Sequence, residues 1–387
     1  MKAAVIGAGI TGVTTAYYLV KAGYKVEIYD ERRYPAMATS YANGGQLSSS
    51  NAETWNSWRS VYKGIKWLGQ PSAPLKVNPF PSIEKYSWFM RFMMAIPQYE
   101  QNTFDTCRMA LGGHSLYKQI AIEEDIHFDM VERGILHVYS SKKELVAAEK
   151  ANEIYTRAGL KRWYVSPEEA KQIEPSIQHA NIIGGYYNDT DFTGDIHKFC
   201  MRLEKVLETK YGVTYNKTHI KNLNEINSDV IVVCAGTGSR QLASTIGDKI
   251  HIYPVKGYSI TINNPDVAPW VSLLDDEAKI VSARLGNDRL RVAGTAEFNG
   301  YNTDIIQDRI RPLIEWSERM FNGINTEDVK PWAGLRPMTP NMMPIVRKSK
   351  SASNVYYNTG HGHLGWTLGA FTAQKIAHQI CVENYRG

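Results

Sequence analysis

The chain has 387 residues, 43% of them hydrophobic, and its 44 basic against 39 acidic side chains leave a formal net charge of +5. Such a length buries a large core in one large or two ordinary domains and excludes dominant disorder, while so mild a charge excludes a dedicated nucleic-acid binder. No run of about 18 apolar residues suits a membrane-spanning helix, and the opening MKAAVIGAG reads as strand and turn rather than as a secretory leader. Four cysteines, Cys107, Cys200, Cys234 and Cys381, form neither a CxxC pair nor a small-domain framework. They point to a reducing cytoplasm and give no support to a metal centre.

In chain order, an apolar run from Ala3 to Ile6 meets glycines at 7, 9 and 12, then a helical stretch from Val13 to Ala22 stopped by Gly23. A second apolar strand, Val26 to Tyr29, ends in Asp30 and Glu31 and completes a βαβ unit. Residues 54–97 change character: Trp55, Trp58, Trp67, Trp88, Phe89, Phe92 and a Met93-Met94 pair are broken by five prolines and dotted with Lys63, Lys66, Lys76, Lys85 and Arg91. This reads as an insertion with its own task. The unbroken apolar run in residues 228–239, closing on the glycines at 236 and 238, returns the chain to the first sheet as a parallel strand covered on both faces. Residues 280–298 alternate apolar with polar, as a half-exposed antiparallel strand of a second domain would. A last strand, a glycine-rich turn and a helix from about Thr367 to Cys381 finish the chain. The expected fold class is α/β with an α+β second domain. A discontinuous Rossmann-like cofactor domain takes 1–53, 101–125, 192–242 and 333–387, and a substrate domain with an antiparallel or mixed sheet takes 54–100, 126–191 and 243–332.

Gly7-Ala8-Gly9-Ile10-Thr11-Gly12 fits GxGxxG. Gly7 permits the sharp turn, Gly9 lets the backbone approach a pyrophosphate, and Gly12 lets helix and strand pack closely. The helix then turns its free amides and positive dipole end on the phosphates. Asp30 follows 18 residues after Gly12, near the spacing at which an acid meets a ribose hydroxyl. One of Asp30 and Glu31 makes that bond, and Glu31, just past the strand, is the better placed. NAD and FAD share this fingerprint, and the late loop Thr359-Gly360-His361-Gly362-His363-Leu364-Gly365-Trp366-Thr367 separates them. It brings a second helix N-terminus to the site, where a reduced flavin gathers negative charge, a need that NAD does not have.

VIGAGITGV, the segment Thr39-Ser40-Tyr41-Ala42-Asn43-Gly44-Gly45-Gln46, the string Gly334-Leu335-Arg336-Pro337-Met338-Thr339-Pro340 and NTGHGHLGWT together resemble the D-amino acid oxidase superfamily of FAD enzymes. Within it the chain looks most like the bacterial D-amino acid dehydrogenase small-chain family, along essentially its whole length. The resemblance implies FAD held by Gly7, Gly9, Ile10, Gly12, Glu31, Ser40, Asn43, Gly45, Gln46, Gly362, Leu364, Gly365, Trp366 and Thr367, with the backbone of Val213 at the adenine. Gly236 joins this set. The family usually has an aspartate after its Thr-Pro pair, where this chain has Asn341 before Met342 and Met343. Relatives with covalent flavin carry a cysteine near the arginine string; none lies between Lys330 and Lys350, so noncovalent FAD is expected.

An amino-acid substrate presents a carboxylate, which a guanidinium grips with two parallel hydrogen bonds. Arg336, stiffened by Pro331, Pro337 and Pro340, is the candidate, and the resemblance puts this arginine at the substrate carboxylate. Tyr258 bonds the other carboxylate oxygen or shapes the pocket. His361 accepts the ammonium proton or positions the flavin ring. Oxidative deamination of D-amino acids to 2-oxo acids and ammonia is the expected activity, with a quinone or similar electron acceptor. The aromatic, basic insertion is either a lid and wall of the substrate domain or a peripheral contact at the inner face of the membrane. Rival readings on the same fold are a secondary-amine, glycine, sarcosine or D-proline oxidase or dehydrogenase, and a subunit active only in a larger complex.

Overall fold

The computed structural model describes residues 1–70 and 73–385. Pro71, one of the insertion's prolines, and the last two residues of the expected cofactor domain lie outside them.

The first strand, Lys2–Ile6, is apolar on both faces because both are covered: Ala3, Ala4 and Val5 are fully buried. It lies inside a six-stranded sheet in the order Ile345–Lys348, Val355–Thr359, Val230–Val233, Lys2–Ile6, Lys25–Asp30, Thr214–Lys217. All neighbours are parallel except the edge strand Ile345–Lys348. Helices Ile10–Lys21, Tyr99–Glu123, Ile196–Tyr211 and Gly365–Tyr385 pack together over one face, burying Val13, Leu19, Leu203, Trp366 and Ile376. On the other face Leu242, Ala243, Ile250 and Ile252 close over Ile6, Ile231 and Val233. This arrangement is why the run at 228–239 contains only a four-residue strand, Val230–Val233, with no polar side chain in it.

The second sheet is mixed and nine-stranded. Its longest strand, Tyr253–Asn263, is flanked by Val329–Met338 and Arg289–Phe298, both antiparallel to it, and helix Gln307–Met320 covers one face with Leu313 and Trp316. Two expectations are corrected here. Residues 280–298 are a hairpin, Ile280–Leu285 and Arg289–Phe298, and the second arm is buried along nearly its whole length, because the helix covers one side and the neighbouring segments the other. The expected boundary at 332/333 falls inside Val329–Met338, which pairs with Tyr253–Asn263 from end to end, so Arg336 belongs to the second sheet.

Residues 39–46, which follow the first sheet's strand Lys25–Asp30 in the chain, are bonded to the second sheet. Thr39 Oγ1 donates to the Leu335 carbonyl (2.7 Å), Ser259 Oγ to the Ala42 carbonyl (2.8 Å), Arg291 Nη1 to the Asn43 carbonyl (3.1 Å) and Gln46 Nε2 to Ser272 Oγ (2.8 Å). The insertion forms helices Trp58–Trp67 and Ile83–Met94 joined through the short strand Leu75–Val77. Trp88 anchors it, packing with Tyr253 and Phe298 and donating from Nε1 to the Met338 carbonyl at 2.8 Å. Helix Trp58–Trp67 buries none of its residues, and Trp58, Tyr62, Ile65, Ile83, Met90 and Met94 are all exposed.

Candidate active site

A cavity of about 1400 Å³ runs between the sheets, and most of the expected site residues line it. Its cofactor end is made of backbone. Gly7 adopts φ +104°, where a Cβ would strike the Cys234 carbonyl, and a Cβ on Gly12 would overlap the Gly7 carbonyl oxygen. No side chain caps helix Ile10–Lys21 at Gly9, although Ser40 Oγ accepts the Ile10 amide at 3.2 Å. Its first turn therefore faces the cavity with donors to spare, a ready anion site. Asp30 spends both carboxylate oxygens on backbone, accepting the Ala8 amide at 2.8 Å and the Arg32 amide at 2.9 Å. It fixes the glycine turn. Glu31 is half-exposed beside it, 3.0 Å from His219, and lines the cavity with an oxygen to offer a ribose.

At the far wall, Gly360 and Gly362 have φ +76° and +58°, and this double left-handed step feeds the turn Gly362–Leu364 into the N-terminus of Gly365–Tyr385. Gly362, Leu364, Gly365, Trp366 and Thr367 all line the cavity, as do Gly236, Gly45 and Gln46. Asn43 lines it too, its Oδ1 accepting the Gly45 amide at 3.0 Å, which holds the Gly44-Gly45 turn in shape. Gly12 sits behind the turn rather than on the cavity surface. Val213 does not reach the cavity: it is buried in the core against the parallel sheet, and the segment 218–221 after the edge strand lines that end instead. The glycine cradle, two helix N-termini facing one cavity and its volume all fit a dinucleotide carrying a flavin.

Of the three expected catalytic residues, Arg336 and Tyr258 lie at the other end, while His361 sits between Gly360 and Gly362. Arg336 donates from Nη1 to the Thr295 carbonyl at 2.9 Å and, among the described residues, has no carboxylate partner. Burial pulls its pKa down to about 10, still a cation at neutral pH. Gly257, opposite Gly334 in the neighbouring strand, makes room for it, since a Cβ there would overlap the guanidinium. Tyr258 lines the cavity, but its hydroxyl donates to Glu297 Oε2 at 2.6 Å; burial and then this carboxylate raise its pKa. With its one proton committed, it shapes the wall rather than donating to a substrate carboxylate. His361 is turned away as well: its Nε2 meets Thr372 Oγ1 at 2.8 Å. Thr372 itself donates to the Gly369 carbonyl, so the network assigns the proton to Nε2. Burial holds this imidazole neutral, its pKa down to about 3, far too low to take a proton from an ammonium group.

Sequence reasoning left several cavity residues unassigned. His363 stacks on Trp55 (4.8 Å between centroids, 21°), its ring nitrogens are buried without a well-formed hydrogen bond, and burial followed by the charges of Arg336 and Lys279 lowers its pKa to about 3. Deeper in, Asp191 collects Ser48, Ser49 and Ser50; Ser50 Oγ also meets His137 Nε2 at 2.9 Å, and His137 Nδ1 lies 3.2 Å from Asp276. Burial and then Arg162 lower the His137 pKa. No signal in the sequence announced this network, whose contacts join segments 87 to 143 residues apart. Among the described residues no cluster of three or more metal-ligating side chains exists, and no helix is long and apolar enough to cross a membrane.

Residues 2–379 match the DAO family, described as FAD dependent oxidoreductase. A protein of Mesorhizobium japonicum named D-amino acid dehydrogenase 3 is 52% identical over 99% of this chain and 97% of its own length. A D-amino acid dehydrogenase of Paramagnetospirillum magneticum is 38% identical over 98% of this chain and 95% of its own. Among solved structures, glycine oxidase from Geobacillus kaustophilus superposes with a TM-score of 0.78 at 16% identity, covering 98% of this chain and 94% of that one. L-proline dehydrogenase from P. horikoshii gives 0.74 at 17%, covering 98% and 92%. These two share the fold. The glycine cradle, the paired helix ends and the match along nearly the whole chain agree: the protein belongs to the DAO family of FAD-dependent oxidoreductases, and FAD is its cofactor.

Proposed function

We propose that the protein oxidises free D-amino acids to 2-oxo acids and ammonia. The observation that carries this reading is Arg336, a buried cation on the cavity wall with no carboxylate partner among the described residues. A buried charge needs a partner, and an amino-acid carboxylate is the partner that a planar guanidinium fits. The names of the relatives described above support the D-configuration.

Bound FAD, held noncovalently, supplies the two-electron acceptor. Arg336 fixes the substrate by its carboxylate and so orients the α C–H, which is where most of the rate gain of such a reaction originates. The buried surroundings of that cation disfavour a second positive charge beside it, so the reactive amine is held in its neutral form. Tyr258 and the Trp55–His363 stack exclude water from the same end. The imino acid formed leaves and hydrolyses in water.

For the acceptor we infer a quinone reached at a membrane surface. The exposed apolar side chains of the two insertion helices, Trp58, Ile65, Ile83, Met90 and Met94, lie among the exposed cations Lys66 and Arg91, a composition suited to an anionic lipid headgroup layer. Ile65 and Met93 also line the cavity, which gives an apolar acceptor a route inward.

The test is anaerobic: the yellow holoenzyme is mixed in turn with D-alanine, L-alanine, D-proline, sarcosine and glycine. Bleaching by D-alanine and not by L-alanine is expected. Bleaching by sarcosine or glycine alone would replace the substrate assignment with a secondary-amine or glycine oxidase.

A further inference from the structure

The strand Arg289–Phe298 breaks register beside the arginine. Lys256 pairs with Glu297 but Tyr258 with Gly294, so Gly257 faces both Thr295 and Ala296, two residues against one. That is a β-bulge, and bulges re-aim backbone groups next to active sites. Within it Thr295 has φ +59°. Of the seven non-glycine residues in the left-handed region among the described residues, it alone is β-branched and it alone lies inside a strand. Sterics oppose this conformation for such a side chain, and strain of this kind persists where function holds it.

One product of the bulge is visible: the Thr295 carbonyl accepts Arg336 Nη1 at 2.9 Å. Nε and Nη2 of Arg336 make no hydrogen bond to the protein among the described residues, so one edge of the planar fork stays open. A glycine at 295 would present the same carbonyl without strain. The threonine side chain therefore needs a use of its own. Its Oγ1 is buried with no hydrogen-bond partner among the described residues, and the residue lines the cavity. Buried hydroxyls are nearly always paired, and an orphan of this kind calls for a partner that arrives with a ligand.

Resting on the amino-acid reading above, we propose that Thr295 is a second carboxylate contact: its carbonyl fixes Arg336, and its hydroxyl, turning about χ1, donates to the substrate carboxylate that Arg336 holds.

Three variants test this, each as FAD-loaded protein. Thr295→Val keeps shape and strain but loses the hydroxyl, Thr295→Gly loses both, and Thr295→Ser keeps the donor. The readouts are the apparent Kd for D-alanine from anaerobic bleaching, the Kd for D-lactate, a carboxylate with no amine, from the flavin spectral shift, and Tm. The valine and glycine variants are expected to weaken both ligands roughly 10- to 100-fold, the loss of a hydrogen bond to a charged group, with Tm no lower than wild type. Serine is expected to stay within about threefold of wild type. A valine variant that binds both ligands as wild type does would overturn the inference. So would weakening that comes with lost FAD or a lowered Tm, which is the signature of a packing role. A wild-type enzyme that no α-amino acid bleaches would instead overturn the functional reading on which it rests.

Discussion

The two ends of the cavity are built from different materials. The cofactor end is backbone: positive-φ glycines at 7, 360 and 362, a glycine at 12 whose Cβ would strike backbone, and two helix N-termini. The Arg336 end is side chain and strain: a guanidinium with no carboxylate partner and, at the bulge beside it, a hydroxyl with no hydrogen-bond partner among the described residues. Backbone donors suit a cofactor that never leaves, since they cost no side-chain ordering. Unpaired side-chain groups suit a ligand that comes and goes, because its arrival satisfies them.

This contrast can be broken experimentally. The largest effect is expected from Gly12→Val, whose added carbons meet the Gly7 carbonyl: the overpacking costs about 1–3 kcal/mol and displaces the phosphate-binding turn, so the purified protein should be colourless, with no flavin band in its visible spectrum. Arg336→Met should leave the yellow colour intact and lower kcat/KM for D-alanine by about 2–5 kcal/mol, roughly 30-fold to several-thousand-fold. Retention of full activity would sever the corner from the substrate. A smaller effect follows from pH. Arg336 loses its proton near pH 10 rather than at its usual value, so KM should climb as pH rises through about 10, and that limb should vanish in the methionine variant.

The smallest effect is expected at His361. Held neutral down to about pH 3, it contributes no limb near pH 6.5 to the kcat/KM profile, and His361→Asn should cost under about tenfold. Its stability effect has a definite sign. The unfolded chain takes up the proton first as pH falls below about 6.5, so the stability present above that pH drains away toward pH 3, less steeply in the variant, as acid titration by circular dichroism would record.

The same contrast explains what was legible in the sequence. Gly7 to Gly12 and Gly360 to Thr367 are contiguous words whose geometry is local, and both glycine segments are found at the cavity. Tyr258 and His361 both line the cavity, yet Glu297 and Thr372, 39 and 11 residues away, claim their polar atoms, and pattern alone carries no such information. Val213 failed for a related reason: it is buried just before the edge strand Thr214–Lys217, whereas the cavity is reached only past the strand's other end. The bulge at Thr295 depends on the pairing register of strands some 40 residues apart, so no single stretch could announce it. Where a group is defined by what it lacks, as with Thr295, the fold has to be seen first.

The segment at residues 39–46 has a consequence for the life of the protein. Its side chains and carbonyls bond the second sheet, Ser40 Oγ accepts from the first turn of helix Ile10–Lys21, and the same stretch lines the cofactor cavity. Whatever FAD contributes to ordering this segment is felt in both halves at once. Free FAD at a hundred times its Kd stabilises the folded chain by about 2.7 kcal/mol, enough to move a marginal protein from turnover to persistence. Flavin binding and the joining of the two halves are therefore linked, so whatever loosens residues 39–46 also weakens the hold on FAD.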